Sequence, residues 1–345
     1  MTETKEKGEV CSNTTNIIYP LAAFVIVIAG VIAAKTIIIP ILLSAFIAVI
    51  CSPPLFWLEG RGLPKTAAFV VVLSVFIAVF LGVVAVLGTS ANDFKNHLDD
   101  YKSSFRGIVE STISTAEKYH IPLEKSVVMK HFDPGMLFGL AGQMISGIGS
   151  MLSQTVLIFI TVAFILFETA SFPKKLEALR AGKKPSEASP AAAFTKKINS
   201  YLAIKTMTSL ATGVLVGISL AVLKVDFPFM WGMLAFFLNF IPNIGSFIAA
   251  VPAILLALVQ LGPMTALLTA VVYTVINFVI GNIIEPKYMG KGLGLSSLVV
   301  FLSLVFWGWV LGPVGMFLSV PLTMTLKLLC DSRESTKPIG ILLGP

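Results

Sequence analysis

Asn239, Asn243 and Ser246 stand beside Pro242 and Gly245 in a stretch that holds almost nothing else polar. Amides and a hydroxyl at that spacing offer hydrogen-bond donors and acceptors without charge. Proline and glycine among them interrupt a helix and free its carbonyls. A second set follows at helical spacing, in which Tyr273, Asn277 and Gly281 are four residues apart with Asn282 beside them. Such a stripe serves either as helix–helix glue or as the wall of a solute site. Glu285, followed by Pro286, is the one acid adjoining this region besides Asp226. At membrane depth it would be a proton or cation site, and at the interface a partner for Lys287 or Lys291. No P-loop and no nucleophile–base pattern is present, so no catalytic residue, cofactor or enzyme class is assigned. His97, His120 and His131 lack ligand spacing, and no metal site is expected.

These residues need unusual elements to hold them. From Asp226 to Glu285 the chain runs 58 residues without a charge, which places it in a bilayer. There every backbone amide needs a partner, and broken helix survives only where it is packed or lines a wet cavity. Composition agrees, with 56% hydrophobic residues, 12% charged residues and a mean hydropathy of +0.91. The lipid bilayer is the expected surrounding. The net charge of +7 is an orientation signal of membrane loops, so a nucleic-acid partner is not expected. Cys11, Cys51 and Cys330 are scattered and predict no disulfide framework.

Eight apolar segments fall at 17–34, 37–50, 67–88, 151–167, 202–223, 227–259, 264–284 and 297–329. The fold predicted is an all-α polytopic membrane protein with about six full spans and two broken or re-entrant hairpins. An external helical insertion interrupts it. The first two segments make either a tight turn or one long kinked helix, and Pro53-Pro54 with Gly60-Arg61-Gly62-Leu63-Pro64 closes the second. By composition the chain divides into N-terminal membrane helices over 1–90, the insertion over 91–150, and a span with a basic loop over 151–201. A transport core over 202–330 and a tail over 331–345 follow. Within 172–199 seven Lys/Arg face two Glu, whereas 91–150 holds six Lys/Arg against seven Asp/Glu. The basic stretch is therefore expected in the cytoplasm, with both termini, and the insertion outside. Phe94, Leu98, Tyr101, Phe105, Ile108 and Thr112 step by four and three there, as in an amphipathic helix that packs on its own bundle or self-associates.

The segments 227–259 and 297–329 have 33 residues each, about 50 Å as one helix against a hydrocarbon core of ~30 Å. The first breaks at Pro242 and Gly245, the second at Gly312, Pro313 and Gly315. Gly245-Ser-Phe-Ile-Ala-Ala-Val-Pro252 aligns with Gly315-Met-Phe-Leu-Ser-Val-Pro321, a weak internal repeat. Paired interrupted segments of this kind mark transporter sites. As kinked spans they would leave the turn at 285–295 outside; as re-entrant hairpins they would bring its lysines inside, which the charge rule favours.

The residues Phe236-Phe-Leu-Asn-Phe-Ile-Pro-Asn-Ile-Gly-Ser-Phe-Ile-Ala-Ala-Val-Pro-Ala253 and Asn277-Phe-Val-Ile-Gly-Asn-Ile-Ile-Glu-Pro286 resemble the hallmark of the autoinducer-2 exporter family of bacterial inner-membrane proteins. Gly290, Leu295-Ser296 and Trp307-Gly-Trp-Val-Leu-Gly-Pro-Val-Gly-Met-Phe-Leu-Ser-Val-Pro321 extend the likeness, while Ser297 stands where the family commonly has proline. The resemblance implies a secondary transporter working by an elevator-like movement, assembled as a homo-oligomer with a pentamer as the expected form. It implies efflux of a small solute such as autoinducer-2 in some members and sodium or lithium exchange for protons in others. The residues themselves suit a small polar solute bound at Asn239, Asn243, Ser246, Asn277 and Asn282, around Pro242 and Gly245, with Glu285 as the coupling group. A monovalent-cation antiporter centred on Glu285 and a non-transporting membrane scaffold are the alternatives.

Overall fold

A computed structural model of the chain describes residues 19, 22–119, 155–169, 190–242, 244–289, 294–332, 334 and 336–344. They are helical throughout, with no strand among the described residues. The elements are α1 (Ala22–Ala33), α2 (Lys35–Gly60), α3 (Lys65–Asn96), α4 (Leu98–Lys118), α5 (Thr155–Thr169), α6 (Pro190–Val222) and α7 (Pro228–Leu238). After them come α8 (Gly245–Leu261), α9 (Pro263–Asn277), a π-helical turn (Phe278–Ile284), α10 (Glu285–Met289), α11 (Ser297–Leu311), α12 (Pro313–Asp331) and α13 (Lys337–Leu342). Among the described residues, five helices are long and apolar enough to cross a membrane, and five shorter apolar helices accompany them. The chain is an all-α polytopic membrane protein.

The N-terminal segments join with one turn residue between them. The Ala34 amide donates to the Gly30 carbonyl and the Ile38 amide to that of Ala34, so the hydrogen-bond ladder passes through. The second segment ends at Gly60, where the expected breaker over 60–64 begins, and Pro53 and Pro54 lie inside α2. Proline removes an amide from the ladder and kinks a helix. Here Ala48, Cys51 and Leu55 remain buried against α3 and α5, and that packing carries the helix past the kink.

Both long segments double back into helical hairpins. In the first, α7 and α8 part at Leu238 and Gly245, and their far ends meet. The Asp226 amide donates to Gln260 Oε1 at 2.9 Å, and Gln260 Nε2 to the Lys224 carbonyl at 3.5 Å. In the second, α11 and α12 turn at Gly312, whose φ of 68° and ψ of −151° belong to a region that only glycine occupies readily. Trp307 Nε1 donates to Thr323 Oγ1 across the arms at 3.0 Å. Gly294, before α11, lies beside the Lys327 side chain near the end of α12.

The repeat read from sequence has a physical basis. A Cβ on Gly245 would strike the Leu238 carbonyl, and one on Gly315 would strike the Trp307 carbonyl. Each glycine therefore lets a second arm begin against the last turn of the first. Gly213 and Gly217 of α6 act the same way toward α7, since a Cβ on Gly232 would meet the Gly213 carbonyl at 2.7 Å and Gly217 Cα at 3.2 Å. Close approach of helices at small residues is the usual packing device where lipid offers no hydrophobic contrast.

The base of the first hairpin lies at the C-terminal end of α6, and the second hairpin clusters with Tyr201 and Leu202 nearer its N-terminal end. They meet through aromatic rings. Phe240 lies 4.4 Å from Phe317 between ring centroids, and Phe46 of α2 lies 5.6 and 4.9 Å from the two. The amphipathic helix α4 packs on the bundle by Tyr101 and Phe105, following Phe94 at the end of α3. Past Phe105 the seam passes to Val109 and buried Ile113; Ile108 is half-buried, and Thr112 is exposed and bonds its own helix.

Candidate functional site

The first break, α6 and the run from α9 to α10 enclose a cavity of about 730 Å³. Asn239, Pro242 and Ser246 supply one wall, Tyr273, Asn277, Asn282 and Glu285 another, and Tyr201 and Lys205 a third. Leu295, Ser297, Val300 and Val320 add residues of the second hairpin and of the turn before it. Asn243 lies outside the described residues. Gly245 is placed by packing and not by the cavity. Of the second break, Gly312, Pro313 and Gly315 shape the turn, and none of them is among the lining residues.

Each wall has a local cause. The first break begins where α7 runs out at Leu238 and Pro242 cannot donate to a continuing helix. Asn239 is buried there and committed at both ends of its amide: Nδ2 donates to Ser209 Oγ at 3.0 Å, and Oδ1 accepts from Ser246 Oγ at 3.2 Å. It ties both arms of the hairpin to α6 while presenting an edge to the cavity. The α9 stripe behaves differently. Thr269 Oγ1, Tyr273 OH and Asn277 Oδ1 are buried and have no hydrogen-bond partner among the described residues. A lone unsatisfied buried group costs roughly 1–3 kcal/mol, which a solute or water reaching Tyr273 and Asn277 would relieve. Tyr273 and Asn277 line the cavity, and Gly281 one turn on keeps the wall free of side chain. The π turn then widens the helix just before Glu285, a distortion common at functional sites.

Sequence reasoning offered Lys287 or Lys291 to Glu285; the structure gives it Lys205. Both carboxylate oxygens lie 2.9 Å from Lys205 Nζ. The two side chains are 7% and 16% exposed. Lys205 was overlooked although a signal existed. It is the only charge between Lys197 and Lys224, and it shares a helix face with Ser209. An ionisable group at such a depth is a functional candidate by default.

A second polar cluster closes the base of the first hairpin. Lys224 and Phe227 take the left-handed conformation, at φ of 60° and 57°, which costs ordinary residues roughly 1–2 kcal/mol each. The Asp226 carbonyl accepts from Trp231 Nε1 at 3.1 Å, and its Oδ2 from the Tyr101 hydroxyl at 2.9 Å. Burial, then the bond to Asp226, raises the Tyr101 phenol far above its ordinary pKa. Among the described residues no group of three or more His, Cys, Asp or Glu could hold a metal ion.

The chain resembles known transport proteins over nearly its whole length. The chain is 37% identical to the AI-2 transport protein TqsA of Escherichia coli K12 over 335 residues, 96% of each chain. It is also 37% identical to a Haemophilus influenzae protein over 330 residues, 94% of each, and 34% identical to YhhT of Escherichia coli K12, covering 96% of this chain. The sequence model of the AI-2E family of transporters matches residues 21–333, which take in every helix from α1 to α12 and all the cavity residues. The chain belongs to the AI-2E transporter family.

Proposed function

We propose that this multi-pass membrane transporter of the bacterial inner membrane exports a small, uncharged, hydroxylated solute, bound in the cavity between the first break, α6 and α9. The observation that carries the reading is the charge state of that cavity. Its acid, Glu285, is neutralised by Lys205, and the remaining polar lining is amide and hydroxyl. A volume of about 730 Å³ suits a small molecule with room for water. The name of TqsA ties that relative to AI-2, and a solute of similar size and polarity is the natural first candidate here. A cation–proton antiporter centred on Glu285 has less support, because both its oxygens already hold an ammonium. No observation favours a scaffold over a carrier.

Alternating access then rests on the two hairpins. Their first arms, of 11 and 15 residues, are about 17 and 23 Å long, short of a ~30 Å hydrocarbon core. They occupy opposite halves of α6 and meet at Phe240 and Phe317, as hairpins entering from the two faces would. Both termini in the cytoplasm, an elevator-like stroke and a homo-oligomer complete the proposal.

Asn277→Ala in proteoliposomes tests the site. If the solute satisfies Asn277 Oδ1, uptake of a labelled hydroxylated solute falls by roughly tenfold or more, while thermal stability holds or rises because a buried unpaired acceptor is gone. Loss of stability with uptake intact would make Asn277 helix glue. Topology is tested at exposed Tyr288. A cysteine there, in a background without Cys11, Cys51 and Cys330, should react with impermeant thiol reagent from the cytoplasmic side alone. Reaction from outside sinks the re-entrant arrangement.

A further inference from the structure

We infer that Lys205 is a built-in counter-ion that keeps inorganic cations out of the cavity, and so determines what class of solute the carrier takes. The inference rests on the neutral-solute reading above and adds the residue that enforces it.

The geometry is that of an occupied cation site. Lys205 Nζ lies 2.9 Å from each oxygen of Glu285, and both side chains face a cavity whose other polar groups are neutral. A carboxylate at the edge of such a cavity is a strong ligand for a hard monovalent cation such as sodium or lithium. The ammonium, fixed to α6 by its own side chain, already takes both of its oxygens. A sodium ion entering the cavity would have to displace a covalently tethered cation and leave it buried and unpaired, which is strongly unfavourable. A neutral solute meets no such opposition.

The same pair read as simple structural cross-bracing between α6 and α10 makes a different prediction. If the pair only braces, removing the lysine costs stability and no ion restores it. If the lysine occupies a cation site, removing it creates a sodium site at the orphaned carboxylate.

The experiment compares wild type, Lys205→Gln and the double variant Lys205→Gln/Glu285→Gln in detergent. It measures binding of radioactive sodium ions and thermal unfolding with sodium or with a bulky organic cation as the only salt. Neither readout needs the transported solute, so failure here is separate from failure of the solute assignment. The expected result is saturable binding of sodium by Lys205→Gln, with no saturation by the wild type up to sodium concentrations on the order of a hundredfold higher. Sodium should raise its melting temperature, and the double variant should lose both effects. Saturable, Glu285-dependent sodium binding by the wild type would overturn the inference, because the lysine would not be excluding cations. So would a Lys205→Gln protein that folds but ignores sodium, or one that fails to fold in sodium while the double variant folds.

Discussion

The two hairpins share a sequence pattern and a turn glycine, yet they are fastened in opposite ways. The first is held at both ends by polar clips to its surroundings. Asn239 joins its tip to Ser209 of α6, and Asp226 at its base donates its amide to Gln260 and accepts from Trp231 and Tyr101. The second has no such clip at its tip among the described residues, where Phe317 meets Phe240 and Phe46. Its polar fastenings lie between its arms, at Trp307 and Thr323, and at its base, where Lys327 Nζ donates to the Gly340 carbonyl and the Ser296 amide to that of Leu343. Directional bonds fix a register, whereas an apolar contact lets surfaces slide. The comparison teaches that polar bonds fix the place of the first hairpin beside the cavity, whereas the tip of the second meets it through aromatic rings.

The glycines are where the two hairpins should agree, and where the largest effect is expected. Gly245→Val and Gly315→Val each drive a side chain into a carbonyl of the opposing arm, Leu238 or Trp307. Each should cost on the order of 4 kcal/mol or more and abolish recovery of monodisperse protein in size-exclusion chromatography. A tolerant Gly315 would mean that the second hairpin opens more readily than the first.

Asn239→Ala separates the hairpins by removing the tip clip that only the first possesses. With two bonds lost at a buried position, a stability loss of about 2–3 kcal/mol is expected by denaturant or thermal unfolding, together with slower transport. Full transport with normal stability would show that the tip needs no anchor.

Tyr101→Phe should cost about 1–2 kcal/mol by releasing Asp226 from α4. Because burial and Asp226 raise the phenol pKa above its ordinary value of 10.0, the contribution is fully present below pH 10 and is lost only at more alkaline pH. Wild type and variant should therefore differ equally at pH 6 and pH 9. The smallest effect, about 1 kcal/mol or less, is expected for Trp307→Phe, which loses one neutral bond between arms that glycine packing already joins.

Much of the fold was legible because lipid imposes simple rules. Runs of apolar residues long enough to cross marked the helices, and Pro242, Gly245, Gly312, Pro313 and Gly315 marked the two places where they break. The seam of α4 was readable from Phe94 to Phe105 and lost its register beyond, where periodicity alone does not say which residues meet the bundle. Of the two closing signals after the second segment, the one at 60–64 ends α2, whereas Pro53-Pro54 lies inside a helix that packing on α3 and α5 carries through. At the site, Asn277 and Glu285 were found as lone polar groups in an apolar stretch. Lys205 was not, because it precedes Glu285 by 80 residues and nothing local pairs them.

The sequence by itself determined that this protein lives in a membrane, that its helices break twice and that amides, a hydroxyl and one acid gather near the first break. Those properties follow from residue type and spacing, since a hydrocarbon environment tolerates few alternatives. Only the tertiary structure decided that the broken segments fold back so that their far ends meet at Gln260 and beside Gly294, that Asn239 is a clip while Asn277 is left open, and that Glu285 is neutralised by Lys205. A hydrogen bond or an ion pair is a relation between two groups, and which groups meet is set by how whole helices pack.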